Sequence, residues 1–421
     1  MSIKLHETLG FYMPSFFYMQ INDIVQDLES NRLLLTSTLI HEYCHFIQDI
    51  TTNFGLSNII KTCTILMDCA HQAGHNNQDI AIPIELCSKS AKFNSGKINS
   101  LWGTFANIDE ITIESYTIDC SNSSYKVDIQ TSEGINLEFG VLAIIESMAM
   151  CLEEAMFEEP DESPDYPYNT CKKLISYIFP EFEYKPELAI ALCDAALMYC
   201  IPSKVFIETL EQLKVDHYSR MTMSDIYDFV FNNFNYPDLI SVKVPDQNHY
   251  IFNANYIETC KSLNGLLGSD TYFDNEKKWI LFRLEQAYLL RKDHPKFWVE
   301  VLEGHSLLQR QANLIAQFET IGFPVIFDKK CIMHIQDITE RDLLVNHDLF
   351  IALNAVLEVL AEGEKRCCLL KHCRNNPNMS SIVNQECFSS PWNKSLNDYL
   401  CPFAKVWHRW KLTGKNVLEK P

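Results

Sequence analysis

The chain has 421 residues, 47% of them hydrophobic and 21% charged. That apolar content excludes a disordered chain, and at roughly 100–200 residues per domain the length suggests two to three domains. The 55 Asp and Glu outnumber 35 Lys and Arg, for a formal net charge of −20. This balance excludes a nucleic-acid coat and argues against an anionic membrane as partner, because both need clustered cations.

The amino terminus, MSIKLHETLGFYMPSFFYMQIND, lacks the basic region, long apolar stretch and small-residue cleavage site of a secretory leader. No uninterrupted apolar run approaches the roughly 18–20 residues that span a bilayer. The expected location is therefore the cytoplasm, where thiols stay reduced. The 16 cysteines then read as buried small hydrophobes, metal ligands or both. Glycine is scarce and forms no phosphate-cradling GxGxxG or GxxxxGK[ST] loop.

In chain order, the aromatic and branched residues 16–21 suit a strand. From 31 to 52 the pattern is helical: Ile40, Tyr43, Cys44, Ile47 and Ile50 share one face. Gly55 is expected to end that helix, with a second helix over 57–71. Residues 110–139 alternate and predict a short antiparallel sheet. Gly140 opens a strongly apolar helix. The acidic, proline-rich 158–170 is a domain boundary or a long surface loop. Helices are then predicted over 186–201, 203–214, 223–234, 253–267, 275–292, 295–321 and 346–362. The expected fold class is α+β, predominantly α, with a short mixed or antiparallel sheet. Residues 1–160 would form the catalytic part and 161–345 a helical region completing a cleft. Residues 346–421 would form a helical, Cys- and Trp-rich C-terminal segment.

The segment 38–49, TLIHEYCHFIQD, carries the chemistry. His41 and His45 lie one turn apart on one helix face, where two imidazoles can share a Zn²⁺ at roughly 2.0–2.1 Å. Glu42, just off that face, can take a proton from water held at the metal. A catalytic zinc usually takes a third protein ligand. The extended HExxHxxGxxH pattern fails, since Gln48 and Thr51 stand where glycine and histidine are needed. His71 and His75 form a second i, i+4 pair but fall at a helix end or loop. Glu146 is a better candidate: only it and Ser147 are polar between Val141 and Leu152, and a buried carboxylate needs a cation. That cation is zinc, or a lysine or arginine from elsewhere. Asp194, the one charge in LAIALCDAALMYCI, is a candidate to orient an imidazole through its distal nitrogen. Asp49, one turn beyond His45, is its rival for that role, or else a solvated helix-end acid. No residue is singled out as oxyanion stabiliser; His217 and Tyr218 are neighbours in a helical region with nothing to place them near His41.

Segments 31–55 and 140–154 together resemble the zincin superfamily of metallopeptidases. The likeness is to the gluzincin branch, in which a glutamate on a later helix completes HExxH. The resemblance implies His41, His45 and Glu146 as metal ligands and Glu42 as general base, with Asp49 at a position that recurs in thermolysin-like helices. The acidic residue found four places after the third ligand in thermolysin is Met150 here.

Toward the C-terminus, Cys367, Cys368, His372, Cys373, Cys387 and Cys401 cluster. Cys368, Cys373, Cys387 and Cys401 are the candidates for a structural zinc, or for an iron–sulfur cluster given Pro402 after Cys401; buried free thiols are the alternative. The expected function is an intracellular zinc metallopeptidase acting on a protein or peptide, mildly favouring basic substrates, with a regulatory protein partner. The alternatives are a zinc hydrolase of a non-peptide amide and a metal-stabilised binding or effector protein without turnover.

Overall fold

The computed structural model describes residues 10–21, 36–75, 79–84, 104–119, 122–158, 163–216, 220–234, 247–268, 273–328, 333–334, 348–376, 379–397 and 399–419. The fold is predominantly helical with small sheets. The strands are β1 (Gly10–Met13), β2 (Tyr18–Ile21), β3 (Asp79–Ile82), β4 (Ile108–Asp119), β5 (Asn122–Thr131), β6 (Asn136–Phe139), β7 (Val325–Asp328), β8 (Met333–His334) and β9 (Asn416–Glu419). The first helices are α1 (Ser37–Thr51), α2 (Asn53–His75), α3 (Val141–Met156), α4 (Thr170–Ile178), α5 (Pro186–Leu197), α6 (Pro202–Val215), α7 (Met223–Asn233) and α8 (Gln247–Leu267). They are followed by α9 (Asp274–Asp293), α10 (Phe297–Leu302), α11 (Leu307–Ile321), α12 (Asp348–Glu362), α13 (Leu370–Asn375), α14 (Glu386–Ser389) and α15 (Pro402–Arg409).

Three sheets form. β1–β2–β7–β8 is mixed, with β2 parallel to β7 and the outer pairings antiparallel. β4–β5–β6 is the antiparallel meander that the alternation of 110–139 predicts. β3 pairs in parallel with β9, joining distant parts of the chain. One continuous apolar cluster runs from Tyr12 to Leu412 and takes side chains from all three stretches that the sequence divides. No described helix is long and apolar enough to cross a membrane.

The helix carrying the HExxH residues starts where its cap dictates. Thr36 is extended, and its hydroxyl accepts from the Leu39 N–H at 3.1 Å. Every α1 residue except Ser37 is buried. Gly55 does not end this helix. α1 ends at Thr51, Thr52 is extended, and α2 begins at Asn53, so Gly55 lies inside α2. It is required there by close approach: a Cβ would stand 2.2 Å from the Asp49 carbonyl oxygen and 2.4 Å from that of Gln48. The single helix expected over 295–321 is two, because Gly304 takes φ +69° and Ser306 caps a new start through the Gln309 N–H.

Two buried clamps fix α1. At its C-terminal end, Arg291 donates from Nε to the Thr51 carbonyl (2.9 Å), from Nη1 to Asp194 Oδ2 (2.8 Å) and the Pro295 carbonyl (3.0 Å), and from Nη2 to Asp194 Oδ1 (2.8 Å) and Thr51 Oγ1 (3.2 Å). All five guanidinium donors are used. The Tyr227 hydroxyl donates a further bond to Asp194 at 2.7 Å. Asp194 therefore orients no imidazole: its buried charge is met by an arginine.

Asp49 forms the other clamp. It accepts from the Tyr12 hydroxyl at 2.9 Å and from the Ser15 N–H at 2.7 Å, which ties the β1–β2 turn to α1. Ser15 and Phe17 hold φ of 64° and 54° in that turn. Asp49 is thus neither a solvated helix-end acid nor hydrogen-bonded to either histidine. Burial raises its pKa from 3.8 to about 7, against the opposing pull of the Ser15 and Tyr12 donors. The folded state therefore favours the protonated acid. That contribution is complete below about pH 4 and is lost as pH rises through about 7. Asp49→Asn, which mimics the protonated form, should gain stability relative to wild type as pH rises from 4 to 8 in urea unfolding. A stability difference that stays flat across that range contradicts this reading.

Candidate metal centre

α1 lies against α3, and the contact brings together the three residues that the sequence offers as ligands. One ligand atom from each of His41, His45 and Glu146 lies within 4.8 Å of the others. His41 Nε2 is 3.1 Å and His45 Nε2 is 3.4 Å from the same Glu146 oxygen, Oε2. A tetrahedral ion with bonds of roughly 2.0–2.1 Å holds neighbouring ligand atoms about 3.3 Å apart, so these separations suit one small cation.

The other imidazole nitrogens are already engaged. His41 Nδ1 lies 2.5 Å from Glu153 Oε1, and the second Glu153 oxygen accepts from the Ser37 hydroxyl. His45 Nδ1 lies 2.9 Å from Gln48 Oε1, and the Gln48 amide donates to the Ile145 carbonyl at 3.0 Å. Both rings therefore direct Nε2 toward Glu146. Glu153 is the orienting residue that sequence reasoning missed. It sits seven positions after Glu146, two turns along the same face of α3, so the helical period carried a signal for it.

The electrostatics ask for a cation. Glu42, Glu146 and Glu153 surround two imidazoles, and among the described residues no lysine or arginine pairs with any of the three acids. Burial would keep His41 neutral, but hydrogen bonds to Glu146 and Glu153, with the Glu42 charge, push its pKa up to about 10. His45 is raised too, as Glu146 outweighs the opposing effect of burial. The imidazoles hold Glu146 far below the usual carboxylate range despite its burial. Glu42 moves the other way: burial raises it against His41 and His45, and the Tyr12 N–H of β1 donates to its carboxylate. Gly10, also in β1, packs on the Glu42 stem, where a Cβ would lie 3.2 Å from Glu42 Cγ and 2.7 Å from Thr38 Cγ2.

Tyr168, in the turn before α4, packs its ring beside His41. Its ring centroid is 5.6 Å from that of His41, at 62° between planes. Burial, and then the charges of Glu146, Glu42 and Glu153, raise its hydroxyl well above the usual value, so it stays a proton donor. Ser147 holds this turn: its hydroxyl donates to the Pro167 carbonyl (3.0 Å) and accepts from the Cys171 N–H (3.1 Å). His71 lies in α2 outside the cluster and His75 is the last residue of that helix. His217 and Tyr218 lie outside the described residues. A separate cleft of about 690 Å³, lined by Asn107, Asp165, Asn169, Lys172, Lys173 and Tyr177 among others, includes none of the three ligand residues.

Of the C-terminal cysteines, Cys373, Cys387 and Cys401 line one cavity, but the fourth is Cys367, not Cys368. Cys368 hydrogen-bonds to Glu358 instead. Among the remaining cysteines, Cys44, Cys63, Cys69, Cys151, Cys171 and Cys193 are buried thiols, as the cysteine count suggests.

No protein-family model, no curated protein and no solved structure matches this chain. The geometry alone makes a prediction about the orienting residue. Glu153→Gln should keep the fold and weaken zinc binding by about 10–100-fold, measured by competition with a chromophoric chelator. Unchanged affinity would remove Glu153 from the site.

Proposed function

We propose that the chain is an intracellular zinc-dependent peptidase of the zincin type, hydrolysing a protein or peptide substrate. One observation carries the reading: the two imidazoles of an HExxH helix converge on a single Glu146 oxygen while Glu42 is buried in the same electrostatic field. His41, His45 and Glu146 would hold the zinc. When bound, the ion lowers the pKa of water toward 7 and polarises a carbonyl.

The protein supplies the rest. Glu42, whose affinity for a proton burial raises, accepts one from the attacking water and returns it to the leaving nitrogen. The Tyr12 N–H and the close packing of Gly10 fix its carboxylate. Glu153 and Gln48 keep both imidazoles aimed. The Tyr168 hydroxyl is the donor for charge developing on the carbonyl oxygen. The chain's net negative charge favours basic segments of substrate and disfavours nucleic acid and anionic membranes. A regulatory protein partner would restrain such an activity inside a cell.

The test uses purified, zinc-loaded protein and a pool of proteome-derived peptides, with new termini read by mass spectrometry. Glu42→Gln should retain its zinc and lose activity by about 10²–10⁴-fold. A Glu42→Gln variant that cleaves at the wild-type rate contradicts the mechanism. A zinc-loaded wild type that cleaves no peptide but hydrolyses a small amide favours the non-peptide hydrolase. No turnover on either substrate favours a binding protein.

Tyr168→Phe should lower kcat about 10²–10³-fold with little change in KM, since it removes a donor needed mainly in the transition state. An effect confined to KM would assign Tyr168 to substrate binding instead.

A further inference from the structure

The second feature that asks for a ligand lies at the C-terminal end. Cys367 precedes α13, Cys373 lies in α13, Cys387 in α14, and Cys401 caps α15. The elements between them are short: α13 has six residues, α14 has four, and 3-10 turns span Ser380–Ile382 and Pro391–Leu396. α13 buries only Leu370 and Cys373, α14 buries only Cys387 and the first 3-10 turn buries nothing, so apolar packing holds these pieces weakly.

All four cysteines are buried, and their side chains line a single cavity. A second, independent feature sits on the same cavity. Lys394 is only 4% exposed, and its ammonium donates to the Ile382 carbonyl at 2.6 Å. Among the described residues no carboxylate pairs with it. A buried ammonium without an anion is costly. Two backbone donors also face sulfur: the Leu369 N–H is directed at Cys367 and the Ala404 N–H at Cys401. Neutral thiols have little use for a cation and two N–H donors, whereas thiolates do.

We propose that Cys367, Cys373, Cys387 and Cys401 form a tetrahedral structural site for one zinc ion. Four thiolates around Zn²⁺ carry a net charge of −2, which the Lys394 ammonium and the two N–H groups partly offset. Each thiol gives up its proton to solvent on binding, and no electron is transferred. Besides Lys394, the cavity that the four cysteines line is closed by apolar side chains, among them Leu369, Ile382 and Phe403, so a bound ion would be shielded from solvent. No three of the four sulfurs lie within 4.8 Å of one another, as the ligand atoms of the first site do. Zinc–thiolate bonds of about 2.3 Å would place neighbouring sulfurs about 3.8 Å apart. Binding must therefore draw the short elements together, so the ion contributes directly to folding of this segment.

The test counts zinc on protein purified under reducing conditions without chelator. Wild type should carry about two zinc ions per chain. His41→Ala/His45→Ala should carry about one, and so should Cys373→Ser/Cys387→Ser, with a lower Tm. If the cysteine variant does not fold, wild type loaded with Co²⁺ decides. Thiolate-to-cobalt charge-transfer absorption in the near ultraviolet, together with protection of Cys367, Cys373, Cys387 and Cys401 from alkylation, supports the site. A wild type with at most one zinc, lost in the histidine variant, and a cobalt form without thiolate absorption overturn it. These outcomes are independent of Glu42 and of any peptidase activity.

Discussion

The constraint on which the rest depends is the burial of a polar helix. α1 is enclosed nearly all round, yet it carries two histidines, Glu42, Gln48 and Asp49. A helix buried on every face is usually apolar on every face. Each of these polar side chains must find a partner inside the protein or make the fold unstable. The architecture around α1 supplies those partners. β1 and its turn satisfy Glu42 and Asp49, α3 satisfies both imidazoles and Gln48, and α9 satisfies the C-terminal carbonyl through Arg291.

What the protein groups leave unbalanced is charge. Arg291 neutralises Asp194 with full use of its donors, and that cluster is closed. Among the described residues the acids around His41 and His45 have no such cation, and their charges pull both imidazoles toward the protonated form against burial. A divalent ion would meet the same need, since His41 Nε2 and His45 Nε2 stand 3.1 Å and 3.4 Å from one Glu146 oxygen, close to the spacing of neighbouring ligands around a tetrahedral ion. The two carboxylates that looked alike in sequence thus serve different ends: Asp194 is fully buried and locks the scaffold, whereas Glu146 is only partly buried and faces the site.

How much was legible follows from the range of each interaction. His41, Glu42 and His45 were readable because an i, i+4 pair is local and helical period fixes its face. Glu146 was readable as a lone acid in an apolar helix, but the same reasoning misled at Asp194. A buried acid announces only that it needs a cation, and whether that is zinc or Arg291 is decided by tertiary proximity across 97 positions. Glu153 was hidden because it sits in a Glu-Glu pair at a helix end that reads as solvated surface, although it is buried. Tyr168 was hidden in an acidic, proline-rich stretch with no periodicity, and Ser147 reveals its placement only through contacts with Pro167 and Cys171. The choice between adjacent Cys367 and Cys368 depends on which way the chain turns into α13, which spacing alone does not encode.

The central claim is that one zinc ion sits between α1 and α3. Anomalous diffraction at the zinc absorption edge, on crystals of the zinc-loaded protein, tests it directly. The account predicts a peak about 2.0–2.2 Å from His41 Nε2, His45 Nε2 and a Glu146 oxygen, with Glu153 and Gln48 still on the Nδ1 atoms. Well-ordered His41, His45 and Glu146 side chains with no zinc between them, or zinc bound only elsewhere on the chain, would contradict it.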